Sequence, residues 1–368
     1  PSMIYQSTGG VIYGAGLGYN PGDNTGEMTL GSNIVFADEA YTERGIYGGG
    51  AIGQTKTTAN IFILGGRVGT GEGQVKVQGT GATTLNPKAG VYGGACDRGG
   101  VNSFIYMDAG IVESGIYGGA NVNGTMTGNT NVMIVGGQVG TSTTSANVHG
   151  GGYGQGTVVS GNVAVTIGKT VGEKGPDVFG NVFGGAALGT VTGSSTVTVN
   201  AGTCTGAIYG GGLGEQGNNT RGVVSGGITV TVNGTDPKPA GRDYAIEAVF
   251  GGGSYAPANC VPDVTVYNCD NSIGEVYGGG NAAKVQGTNV TVYGCNKIGS
   301  VFGGCNKADV TEAGTSVAIY GGIIDNVFGG NNHSGSIIGP VQVAVDAVSA
   351  DENDPCSMAI GNVYGGVN

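Results

Sequence analysis

Two groups of residues in this 368-residue chain stand where they could do chemistry. The first lies between Thr235 and Glu247, where TDPKPAGRDYAIE concentrates Asp236, Lys238, Arg242, Asp243 and Tyr244. Loops held on a rigid scaffold are where recognition usually sits, so Arg242, Asp243 and Tyr244 are candidate ligand contacts. The plainer alternative is a solvated charged loop. The second group is a set of aromatics, among them Tyr47, Tyr92, Tyr117, Tyr209 and Tyr277, each following Val or Ile and preceding Gly-Gly. Facing solvent, they would form a platform for sugar rings or another protein surface.

Catalytic patterns are thin. A glycosidase needs two carboxylates roughly 5–10 Å apart. A lyase needs a base such as Lys, Arg or His. The strand-borne acids Asp263, Glu275 and Asp309 are isolated among Gly and Asn, and His149 and His333 belong to different regions. Asp351-Glu352-Asn353-Asp354 lacks the spacing of a calcium loop and reads as a solvated segment. The seven Cys form no CxxC or Cys/His cluster, which argues against zinc. An odd number leaves at least one thiol unpaired within the chain. Cys269 and Cys295 are 26 residues apart and are expected to stack, as a buried thiol ladder or as one disulfide. The pairs Thr196/Thr198 and Thr229/Thr231 suggest an ice-binding array, but the same columns continue as Asp263/Thr265 and Ser316/Ala318, so the array does not persist. No catalytic residue, metal or cofactor is assigned.

The elements that would position these residues are strands. Gly supplies 82 residues and Pro only 10, without a Gly-X-Y period, which excludes collagen. With 39% hydrophobic and 11% charged residues the chain is not disordered. Glycine this frequent would ruin helices, and the Val, Ile, Thr and Tyr that remain suit pleated strands. A net charge of −11 with scattered basic residues argues against nucleic acid. No run of 18 apolar residues exists to form a membrane-spanning helix. Pro1 to Tyr5 show no signal-peptide pattern, so any export signal has been removed or was never present.

A repeat organises the whole chain. Its core begins at Ile12, Ile46, Val91, Ile116, Val148, Val182, Ile208, Val249, Val276, Val301, Val327 and Val363, at intervals of 25 to 45 residues. The third position is always Gly. The second is Tyr seven times, Phe four times and His once, at His149, which is therefore read as a member of the aromatic column. A floor near 25 residues, with VTV strands between cores, describes one rung of a β-solenoid with three short strands and three turns. The longer intervals place insertions near 69–90, with a VKV strand, and 233–247. Gly is expected at corners requiring positive φ, with Asn as the substitute. Asn281, Asn306 and Asn332, each five residues after the core Val, are expected to stack as an amide ladder, as is Asn121 at the same position. Polar residues before the core Val (Asn181, Glu275, Ser300) suggest that Val points inward and the aromatic outward. A bend at Gly that buries both is the alternative.

The VYGGG, VFGGC and IYGGA cores joined by VTV strands resemble the Gly-rich repeat proteins secreted by gut bacteria. Their coils are similar to the right-handed, pectin-lyase-like parallel β-helix. The resemblance spans essentially the whole chain, but it is one of repeat pattern. It implies about twelve right-handed coils in one solenoid domain over residues 1–368, with no second globular domain, and an adhesin-like bacterial protein, secreted or at the cell surface. Neither end shows a capping helix, so a piece of a longer protein, or ends that meet neighbours, is expected. The function expected is that of a non-catalytic structural and adhesive rod. The alternatives are a carbohydrate-binding module using the aromatic strip, or a polysaccharide lyase or hydrolase. The partners expected are glycans, other surface proteins or further copies end to end.

Overall fold

The computed structural model describes residues 10–16, 26–71, 75–76, 84–85, 88–268, 270–346 and 357–368. Pro1 to Tyr5, Cys269, the acidic run 351–354 and most of the 69–90 insertion, including Val77 of its VKV, lie outside them. Within that insertion, Val75–Lys76 pairs antiparallel with Thr84–Leu85. The described chain is all-β and contains no helix, and 26 strands join in one sheet in which neighbours run parallel.

Two strands recur along this sheet. One carries the V-x-V pattern, as in Ser195–Val199 and Ile228–Val232. Its central residues pair in parallel without slippage from Ile34 through Ile61, Ile105, Val132, Val165, Val197, Val230, Val264, Val290 and Val317 to Val343. The other carries the Val/Ile-aromatic core. Its pairs run Ile12, Ile46, Val91, Ile116, Val148, Val182, Ile208, Val249, Val276, Val301, Val327, Val363. A smaller three-stranded sheet, Asn123–Met126 with Gly156–Val159 and Thr190–Val191, forms a further side. Between the two main strand sets lies one continuous apolar core. Ile46, Ile61, Val91, Ile105, Val197 and Val249 in it are fully buried. Each such side chain contributes about 1.5–3 kcal/mol, which an isolated rung would forfeit.

The third-position glycines have a different cause from the one expected. Gly118 and Gly150 carry no positive φ. A Cβ on Gly118 would stand 2.1 Å from the carbonyl oxygen of Gly150, and one on Gly150 would stand 2.2 Å from that of Gly184. Close approach between successive coils, not left-handed backbone, demands Gly there. The same carbonyls are satisfied from inside. Ser32 donates to Gly48 O, Ser103 to Gly118 O, Thr130 to Gly150 O and Ser195 to Gly210 O, all at 2.6 Å. A hydroxyl in the core is thereby paired rather than left as a cost.

The Asn positions likewise need no left-handed turn, since among the described residues only Asp38 and Asn268 of the non-glycine residues have positive φ. Their amides bond from coil to coil instead. Asn306 Nδ2 donates to Asn281 Oδ1 at 2.7 Å, Asn332 to Asn306 at 3.2 Å and Asn368 to Asn332 at 2.9 Å. Asn121 instead donates to Tyr47 Oη at 2.8 Å and to Lys88 O at 2.7 Å.

Candidate functional site

The core aromatics do not face solvent. Tyr47 is 1% exposed, Tyr92 and Tyr277 0%, Tyr117 5% and Tyr209 7%. From Ile46-Tyr47 to Val327-Phe328 both residues of each core pair are buried, because the chain doubles back after the glycines, whereas Ile12-Tyr13 is half-buried and Val363-Tyr364 is exposed. Ala51, Ile52, Cys96 and Ala187, from these returning segments, pack on the outer side of the rings. The expectation of an outward strip is thus overturned for all five tyrosines. The twelve rings from Tyr13 through His149 to Tyr364 form one stack with centroid separations of 4.5 to 5.3 Å, enclosed along its length and exposed at Tyr364. Several phenols find partners within the protein. Tyr277 Oη donates to Glu275 at 2.9 Å and accepts from Asn332 at 2.8 Å, and Tyr47 Oη donates to Lys88 O at 3.2 Å. Burial pushes the Tyr92 and Tyr47 hydroxyls well above the usual phenol range. His149 sits between Tyr117 and Phe183 with both rings parallel to it, and burial pulls its pKa down to about 3.

One cluster of charged groups lies at the corner of the coil where the V-x-V strand ends, apart from the Glu27–Lys56–Arg98 and Arg67–Glu113 pairs. In the coil of Val230 the 233–247 insertion is anchored there by Asp236. This carboxylate, 8% exposed, accepts hydrogen bonds from Gly202 N at 2.9 Å and Gly175 N at 3.1 Å, which belong to the two preceding coils. Asp236 therefore holds the loop down. An open cleft of about 760 Å³ lies beside it, lined by Glu173, Lys174, Asp177, Thr203, Asp270 and Asn296 among others. Lys174 Nζ stands 3.7 Å from Asp177 and 3.9 Å from Asp236, so one ammonium bridges two carboxylates that the sequence separates. Thr203 donates to Asp177 at 2.7 Å.

The predicted loop residues do not converge on this cleft. Arg242 turns inward and donates to Cys204 O at 2.5 Å, with Glu247 4.0 Å away. Asp243 is exposed, and Tyr244 receives Lys297 Nζ 5.7 Å from its ring centre. The isolated acids are each occupied structurally: Asp263 accepts from Asn289, Glu275 from Tyr277 and Asp309 from Ser336 N. Among the described residues no three His, Cys, Asp or Glu side chains gather as a metal site. Cys295 is buried and not disulfide-bonded.

The same corner carries a second aromatic stack that the core motif does not reveal. Tyr267, Tyr293 and Tyr320 directly follow the V-x-V strands of successive coils and stack at 4.9 and 5.2 Å. Tyr267 is 42% exposed and the other two are half-buried. Their sequence signal is a spacing of 26 and 27 residues, the length of one coil, in VTVYNC, VTVYGC and VAIYGG. Comparison of the chain with protein families, characterised proteins and solved structures finds no match.

Proposed function

We propose that this protein is a rigid, non-catalytic rod of the secreted or bacterial cell-surface kind, a right-handed solenoid of about twelve coils that holds adhesive surfaces away from their base. The observation that carries this reading is the unbroken column of rings from Tyr13 to Tyr364, within about 12° of parallel from Tyr47 onward and tilted by 29° between Tyr13 and Tyr47. Each stacked pair adds about 0.5–1.5 kcal/mol beyond area burial, and every ring ties one coil to the next. The Ser/Thr-to-carbonyl bonds and the amide ladder add further ties between coils. Twelve rungs at about 4.8 Å correspond to a length on the order of 55 Å. The likeness to Gly-rich gut-bacterial repeat proteins supports the location on repeat pattern alone.

The enzymatic alternative would have to use the cleft. There Asp236 is committed to two backbone N–H groups and Lys174 is shared between two carboxylates, an arrangement that favours anchoring over proton transfer. The test has two parts. Small-angle scattering should give an elongated, stiff particle, and incubation with plant, host and microbial polysaccharides should release neither reducing ends nor unsaturated uronic ends. Turnover of any of them would overturn the non-catalytic reading, and a compact or flexible particle would overturn the rod.

A further inference from the structure

The geometry points to a polysaccharide-binding strip on this protein, formed by Tyr267, Tyr293 and Tyr320 and taking a neutral glycan chain laid along the rod axis. The three rings occupy a surface column that other coils fill with Asn200 and Asn233, whose side chains bond to each other at 2.9 Å. Amides therefore satisfy the structural needs of this corner. Large aromatics in three successive coils, at 42% exposure for Tyr267, add surface that the fold does not require. No described residue hydrogen-bonds to the three hydroxyls, in contrast to Tyr47 and Tyr277 inside the rod. The ring faces between neighbours are mutually covered. What the strip offers is therefore a line of ring edges and free phenol groups repeating every 4.9 to 5.2 Å.

A row of identical groups at a fixed interval is matched by a ligand that itself repeats, which selects a polymer over a small molecule. Unpaired hydroxyls beside apolar ring edges suit a sugar, whose hydroxyls donate and accept while its C–H groups lie against those edges. Charge decides the class of sugar. Asp270, three residues after Tyr267, lines the adjoining cleft with Glu173 and Asp177, and the whole chain carries −11, so a uronate polymer is repelled. The strip itself holds no ion, which favours an uncharged chain.

The test is native electrophoresis through gels containing a soluble neutral polysaccharide (mixed-linkage β-glucan, arabinoxylan or galactomannan), with polygalacturonate and chitosan as charged comparisons. At least one neutral polymer should retard the protein. Tyr293→Asn, which restores the residue type of two other coils, should weaken that retardation at least about tenfold, and Tyr267→Asn should weaken it likewise. The inference fails if no neutral polymer retards the wild type, if a charged polymer is bound best, or if both Asn variants, folded by circular dichroism, bind like wild type. Such a failure leaves the rod reading standing, since that rests on scattering and turnover.

Discussion

Replacing His149 by Phe removes a titrating group from the centre of the ring column and should change how stability depends on pH. The imidazole is 1% exposed, stacks on Tyr117 at 5.0 Å and Phe183 at 4.6 Å, and leaves Nδ1 without a partner. Burial lowers its pKa from 6.5 to about 3, with the Gly185 carbonyl acting in the opposite sense. A folded-state pKa below the unfolded value means that the unfolded chain takes up the proton first as pH falls. Stability from this group is fully present above about pH 6.5 and declines towards about pH 3. Each unit is worth about 1.4 kcal/mol, so about 3 kcal/mol is lost between pH 7.5 and pH 4.5. In His149→Phe that component vanishes. At neutral pH two effects oppose: removing an unsatisfied buried nitrogen gains about 1–3 kcal/mol, while the larger ring costs up to a similar amount. Phe183 in the next coil shows that the column accepts the ring. Urea unfolding at about pH 7.5 and about pH 4.5 should therefore show a drop in wild type that is smaller by about 2–3 kcal/mol in the variant. Parallel losses in the two proteins, or an NMR titration of His149 within a unit of 6.5, would refute the reasoning.

Other perturbations test the remaining parts. Gly118→Ala forces a Cβ to 2.1 Å from Gly150 O and should cost about 3 kcal/mol or more in thermal or urea unfolding, whereas Gly365→Ala, the same motif position with nothing within 4 Å, should stay within about 0.5 kcal/mol. Asp236→Ala removes the bonds from Gly175 N and Gly202 N. It should speed tryptic cleavage after Arg242 severalfold while leaving global unfolding nearly unchanged (Lys238 precedes Pro239 and resists trypsin), and equal cleavage rates would argue against the anchor. The thiols of Cys96, Cys204, Cys295 and Cys305 are each pushed up to about 12 by burial. Mass-mapped labelling near pH 8 should modify these four only under denaturing conditions, and rapid native labelling would contradict their burial.

The register of the fold was written in the sequence because a solenoid repeats its solution. Val or Ile at the core start and Gly two residues later recur wherever successive coils face the same neighbours, and each named start pairs with the next. Asn281, Asn306 and Asn332 could be placed in one column by counting five residues from the core Val. Tyr267, Tyr293 and Tyr320 were equally countable, one residue beyond the V-x-V strand.

Orientation was not countable. Simple alternation puts the residue after an inward Val outside, and that rule assumes open solvent on the far side of the strand. In this protein the segment after the glycines returns across that side, so Tyr47, Tyr92, Tyr117, Tyr209 and Tyr277 are enclosed from both directions. The reason for Gly also depends on distance: only the approach of Gly150 O to Gly118 shows that space, and not φ, fixes the residue. The cleft joins Lys174, Asp177 and Asp236 across residues far apart in sequence, because two long turns at one corner flank a short one. The sequence by itself thus determined the period, the strands and which residues share a column. Tertiary structure decided which columns are core, which are surface, and which charges meet, because those depend on what the chain lays over each strand after it has turned.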